Sequence, residues 1–242
     1  MDAQGRALGA EALLRWQHPR LGPIAPDVFI PLAEASGLIL PMGAWVLREA
    51  CAQLAAWQQQ QATRHLELAV NVSPREFKQG DFAAQVERLL DASGVDASRL
   101  VLELTESLVI EDIDDTVAKM STLHRRGVRF ALDDFGTGYS SLSLLRQLPL
   151  QLLKIDRSFV RDIVHDSGSA TIVRSIVALA RSLGLQVIAE GVETQAQLAA
   201  LRAQHCRFFQ GYFFSRPLTR PQFSDWLAAQ PRPAAPVPEV SP

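Results

Sequence analysis

Six short apolar runs in this chain each end, within a residue or two, in a side chain that can bind a cation or move a proton. AVNV carries Asn71, LVLELTE carries Glu103 and Glu106, and RFALDD carries Asp133 and Asp134. LLKID carries Lys154 and Asp156, QVIAEGVE carries Glu190 and Glu193, and a weaker run near the start carries Glu11. For any one of these residues, polarity where a strand leaves the core is explanation enough. For all of them together it is not, because acids are seldom buried unless paired or bound to a metal. Asp133 and Asp134 are adjacent and repel without a cation, and Lys154 alone cannot neutralise so many carboxylates. Oxygen donors without His or Cys favour a hard divalent ion, Mg²⁺ or Mn²⁺, over zinc. Two such ions about 3.5–4 Å apart would activate water and clamp a phosphoryl group. FGTGYSSL follows Asp134. Its two glycines permit a sharp turn that could cradle phosphate at the next helix N-terminus, although GTG by itself is most often only a turn.

These residues need a scaffold that brings strand ends together. Val-, Ile- and Leu-rich runs predict buried strands over Leu66–Val72, Leu100–Leu104, Val128–Leu132, Leu152–Ile155 and Gln186–Ala189, with weaker candidates at Ala7–Leu14 and Phe208–Gly211. Amphipathic stretches between them predict helices over Gly43–Gln60, Phe82–Ser93, Ile113–Arg126, Ala170–Leu183 and Gln195–His205. Gly94, Gly127 and Gly184 sit where left-handed residues end helices, and Thr194 is placed to cap the last one. Strand–helix alternation means a mainly parallel sheet covered by helices. A (β/α) barrel is the leading α/β architecture and an open doubly wound sheet the second; both gather functional residues at the C-terminal ends of their strands.

At 242 residues the chain can form one large domain or two small ones, and no linker-like segment divides it before the tail. Apolar residues at 48% and charged residues at 21% are globular values, and the length supports a core without disulfide or metal staples. A net charge of −2 lacks the basic footprint of a nucleic-acid-polymer binder. Cys51 and Cys206 are too few for a disulfide scaffold, so a reducing, cytoplasmic setting is expected. No signal peptide or run of about 18 apolar residues is present, although a longer protein containing this piece could be membrane-anchored. Residues 1–229 are expected to form one domain, followed by a disordered Pro-rich tail over 230–242. The five histidines lack metal-ligand spacing and read as surface or satisfied core residues. The cysteines read as small hydrophobes, and the four tryptophans as core or helix-face residues.

The motifs resemble one family in order along nearly the whole chain. EALLRW from Glu11, PDVFIPLAEASG from Pro26, NVS from Asn71, ELTE from Glu103, DDFGTGYSSL from Asp133, KIDRSFV from Lys154, AEGVET from Ala189 and QGYFFSRP from Gln210 resemble the EAL-domain cyclic di-GMP phosphodiesterases. The resemblance implies a TIM-like barrel that hydrolyses cyclic di-GMP to linear pGpG with two Mg²⁺ or Mn²⁺ ions. It implies Glu11, Asn71, Glu103 and Asp133 as ligands of one ion and Asp133 and Asp134 as ligands of the other. Glu190 corresponds to the general base or a ligand orienting the water, Lys154 to the lysine near the developing phosphate charge, and Glu106 to the glutamate holding the DDFGTG loop. Leu14, Arg15 and Gln210 fall at substrate-side positions, Arg15 on the phosphate, and Glu193 is a supporting acid. A homodimer through helices beside the DDFGTG loop, and upstream sensory or GGDEF domains, are further implications.

The family's usual first strand and helix have no counterpart before Glu11, so a barrel lacking them is expected. Pro74, and His205-Cys206-Arg207 where Gly-Cys-Asp is common, are smaller departures. A catalytically silent EAL module that binds cyclic di-GMP or a protein partner is the main competing function. The presence of every matched acid favours the enzyme. An unrelated metal-dependent barrel enzyme would share the acids but not this set of motifs.

Overall fold

The computed structural model describes residues 1–136 and 142–230, and for residues 110, 111 and 142 the backbone alone. The expected tail beyond Gln230 and residues 137 and 138 of the GTG turn therefore lie outside the described residues. The chain opens with β1 (Gly9–Ala12), a small antiparallel hairpin of β2 (Trp16–His18) and β3 (Gly22–Ile24), and helices α1 (Pro26–Ser36) and α2 (Ile39–Gln58). Next come β4 (Glu67–Asn71), α3 (Pro74–Phe77), α4 (Phe82–Ser93), β5 (Leu100–Thr105), α5 (Glu106–Glu111), α6 (Ile113–Arg125) and β6 (Arg129–Phe135). The rest is α7 (Leu142–Gln147), β7 (Leu152–Ile155), α8 (Arg157–Asp162), α9 (Ser167–Ser182), β8 (Gln186–Ala189), α10 (Gln195–Ala203), β9 (Phe208–Phe209) and α11 (Arg220–Ala229).

Seven strands pair in the order β1-β4-β5-β6-β7-β8-β9, every neighbour parallel, which matches the expected barrel-type sheet and its count of about seven. Among the described residues β1 and β9 are the two edges, with no ladder joining them. The sheet curls into a half-barrel until those edges face each other. Across the gap, Asp2 bridges Phe208, the Met1 ammonium donates to the Phe209 carbonyl at 2.8 Å, and the Phe209 amide donates to the Met1 carbonyl at 2.9 Å.

Strand parity divides the core into two. Leu68, Val70, Leu100, Leu102, Phe130 and Leu153 belong to the large cluster that also contains the buried helix faces. Residues of opposite parity form a separate small cluster, Val101, Ala131 and Leu152 with Ala69 and Ile188 against it, which fills the inside of the curl. Side chains alternate faces along a strand, so the inner and outer sets are fixed once register is set. Local signals frame the helices as expected. Gly94 ends α4 at φ +64°, and Thr194 and Gln197 form a capping box at α10.

α1 carries an internal proline. Pro31 inside PDVFIPLAEAS reads as a helix breaker, yet the helix runs through it. Buried Phe29 and Ala33 hold it down, and the Trp16 ring meets Phe29 edge-on at 5.8 Å.

Candidate active site

Counting two residues onward from the inner apolar cluster builds the site. Ala69 leads to Asn71, Val101 to Glu103, Ala131 to Asp133, Leu152 to Lys154 and Ile188 to Glu190. A two-residue step along a strand returns to the same face, about 6.5–7 Å nearer its C-terminal end. The polar set is thus the next layer inside the curl, stacked on the apolar one. Glu11 on β1 joins this layer through its pairing beside β4, where it stands opposite Ala69, and Gln210 joins it just past β9.

Lys154 stands at the centre, its side chain 1% exposed. Its ammonium lies 2.7 Å from Glu103 Oε2, 2.7 Å from Glu190 Oε1, 3.3 Å from Asp133 Oδ2 and 3.6 Å from Glu11 Oε2. One cation faces four carboxylates. Burial pulls the ammonium's pKa down, and Glu103, Glu11, Glu190 and Asp133 together overcome it, leaving the pKa well above the usual lysine value. Burial drives Glu103 well above the carboxylate range, and repulsion from Glu11 and Asp133 adds to this against the pull of Lys154. Burial, helped by Asp133 and Glu11 and opposed by Lys154, pushes Glu190 up to about 7. Such a cluster is short of positive charge.

Asp133 and Asp134 cannot both face the site in a regular strand, because neighbours point to opposite faces. Pairing between β6 and β7 shifts register between Leu132 and Phe135, and Asp134 takes a left-handed φ of 54°. This irregularity lets consecutive acids share one pocket. Burial and the charges of Asp133 and Asp156 raise the Asp134 pKa, and its carboxyl is hydrogen-bonded to that of Asp156. Asp156 caps α8, accepting from the Ser158 amide at 3.0 Å and from the Ser158 hydroxyl. Burial works against its charge, but the Ser158 bonds hold it below the ordinary range. This tie between Asp134 and the α8 cap was not legible in the sequence. Its local signal is D-R-S, an acid two residues before a serine at a helix start.

Glu11 is gripped at both oxygens. Asn71 Nδ2 donates to Oε1 at 2.6 Å and Gln210 Nε2 donates to Oε2 at 2.5 Å. With its amide nitrogen donating to Glu11, Asn71 keeps a neutral carbonyl oxygen as a ligand atom. Oxygen atoms of Asp133, Asp134 and Glu190 all fall within 4.8 Å of one another. An excess of carboxylates, convergent oxygens and a neutral amide oxygen together fit a hard divalent ion.

The remaining expected residues stand apart. Arg15 is exposed and folds its guanidinium onto the Leu14 carbonyl at 2.7 Å. Glu193 is exposed, and its backbone amide donates to Gln197. Glu106 is buried at the start of α5, and neither carboxylate oxygen has a hydrogen-bond partner among the described residues. Residues 137 and 138 of the DDFGTG loop it was expected to hold lie outside them.

The EAL domain family matches residues 1–217. The chain belongs to the EAL family. Among curated relatives, this EAL chain is 44% identical over 218 residues to the bifunctional diguanylate cyclase/cyclic di-GMP phosphodiesterase MucR of Pseudomonas aeruginosa, covering 90% of the chain and 32% of that protein. It is 44% identical over 234 residues to the cyclic di-GMP phosphodiesterase NbdA of the same organism, covering 97% of the chain and 30% of that protein. The EAL chain therefore spans about a third of the length of these curated relatives. Among solved structures, the PaMucR phosphodiesterase in complex with c-di-GMP superposes with a TM-score of 0.86 at 44% identity, covering 89% of this chain and 87% of that one. The EAL enzyme Bd1971, in its cAMP- and cyclic-di-GMP-bound form, superposes at 0.87 with 34% identity, covering 91% of this chain and 60% of that one.

Proposed function

We propose that this EAL chain hydrolyses one phosphodiester bond of cyclic di-GMP, giving linear pGpG, with Mg²⁺ or Mn²⁺ at the polar layer. The observation that carries the reading is the convergence of Glu11, Glu103, Asp133 and Glu190 on one buried ammonium. The named activities of MucR and NbdA point the same way. Glu11, Asn71, Glu103 and Asp133 would hold one ion, and Asp133 with Asp134 a second, with Glu190 beside them. When bound, such ions polarise a phosphoryl oxygen and lower the pKa of water toward neutrality.

The chain's own residues do the rest. Glu190, held by Lys154 at 2.7 Å beside Asp133 and Asp134, is placed to take a proton from water, as a general base must. Lys154 fixes the orientation of Glu190 and keeps a permanent positive charge beside the site. Asp156 braces Asp134 from the α8 terminus.

Incubating the purified chain with cyclic di-GMP and Mg²⁺ or Mn²⁺ should yield pGpG, and Glu11→Ala or Asp133→Ala should abolish it. Binding of cyclic di-GMP without product would make the chain a receptor instead.

A further inference from the structure

We propose that Gln210 is a positioning residue for the ion site, presenting Glu11 to the ion from the far edge of the sheet. The inference rests on the metal-dependent reading above and gives Gln210 a role other than the substrate contact that its motif implies. Glu11 sits on β1, an edge strand with a ladder on one side only. On that side Asn71 of β4 holds Oε1 at 2.6 Å. On the other side no strand is paired, and the Gln210 amide, 199 residues away in sequence, holds Oε2 at 2.5 Å. A side chain at a sheet edge otherwise keeps its rotamer freedom, which an ion must then overcome on binding.

The backbone of Gln210 is fixed well enough to impose this. Its amide donates to the Ala189 carbonyl at 2.8 Å, and its carbonyl accepts from the Val192 amide at 3.0 Å. Gln210 is therefore locked to the segment carrying Glu190, and through Nε2 it locks Glu11 to the same frame. Each Glu11 oxygen accepts one amide hydrogen, which leaves each a further lone pair directed elsewhere. The contact also joins the two sheet edges at the level of the site, where no backbone ladder does so.

The test is Mn²⁺ binding to the full chain without substrate, followed by electron paramagnetic resonance or calorimetry, together with steady-state kinetics. Gln210→Met keeps the length and removes the donor. It should weaken Mn²⁺ binding about tenfold or more. Its kcat should rise as Mn²⁺ is raised over a range in which the wild type is already saturated, a dependence that loss of a substrate contact alone would not produce. Gln210→Asn, one methylene short, should behave as Gln210→Met does and carries the test if the Met variant does not fold. Unchanged Mn²⁺ affinity with a raised KM at every metal concentration would overturn the positioning role and make Gln210 a substrate contact. If the wild-type chain itself binds no Mn²⁺, the metal-dependent reading falls and the positioning role with it. Wild-type binding with an unaffected Met variant removes the positioning role alone.

Discussion

The Lys154 ammonium and the Glu103 carboxylate meet at 2.7 Å with neither side chain more than 3% exposed. A buried pair of this kind is costly to break from one side, because the remaining charge has neither water nor partner. Here the pair is also the centre of a charge imbalance, since Glu11, Asp133 and Glu190 share the same ammonium.

Lys154→Met should therefore damage stability and activity in separable ways. In EDTA the variant should lose about 3–5 kcal/mol of unfolding free energy. Added Mg²⁺ should recover much of that, because divalent charge substitutes for the lost ammonium. Turnover should stay at least about 100-fold down even with Mg²⁺. Thermal unfolding with and without EDTA, beside kinetics, checks both; stability insensitive to Mg²⁺ would contradict the picture.

Asn71→Asp should also distinguish the metal-free and loaded states. It replaces a donor on Glu11 by a like charge inside a cluster already short of cations. The metal-free protein should melt several degrees lower, and the deficit should shrink as Mn²⁺ is titrated in. Equal melting temperatures in EDTA would contradict this.

Glu76 predicts a pH dependence of stability. It is 7% exposed, wedged against Gly43 of α2, where an added Cβ would lie 2.1 Å from its Oε1. Burial pushes its pKa up to about 7, against one hydrogen bond from the Ser73 amide. The folded chain then holds a proton that the unfolded chain releases near 4.5. Since the unfolded state binds fewer protons between those values, stability falls as pH rises from about 4.5 to 7. The loss from this group is on the order of 3 kcal/mol. Glu76→Gln keeps an acceptor for Ser73 and cannot ionise, so denaturant titrations should show it more stable than wild type at pH 8 and near equal at pH 4.5.

Gly211 follows Gln210 with φ at +154°, and an added Cβ would stand 2.2 Å from the Val192 carbonyl oxygen and 2.3 Å from its nitrogen. Backbone on both sides leaves little room to shift. Gly211→Ala should cost about 1–3 kcal/mol in denaturant unfolding.

Much of this molecule could be read from residue order. Apolar runs specified the strands, and the polar side chains that end them, Glu11, Asn71, Glu103, Asp133, Lys154 and Glu190, already named the polar layer. That works because parity along a strand is a local property of the backbone. Tertiary structure decided the rest. Register slippage between β6 and β7 turned Asp134 inward beside Asp133. Packing of Phe29 and Ala33 carried α1 through Pro31 against its local preference. Curling of the sheet brought Gln210 to Glu11 and set Lys154 among four acids. These depend on groups far apart in the chain meeting across the sheet, where distance and burial, rather than neighbouring residues, set both geometry and charge.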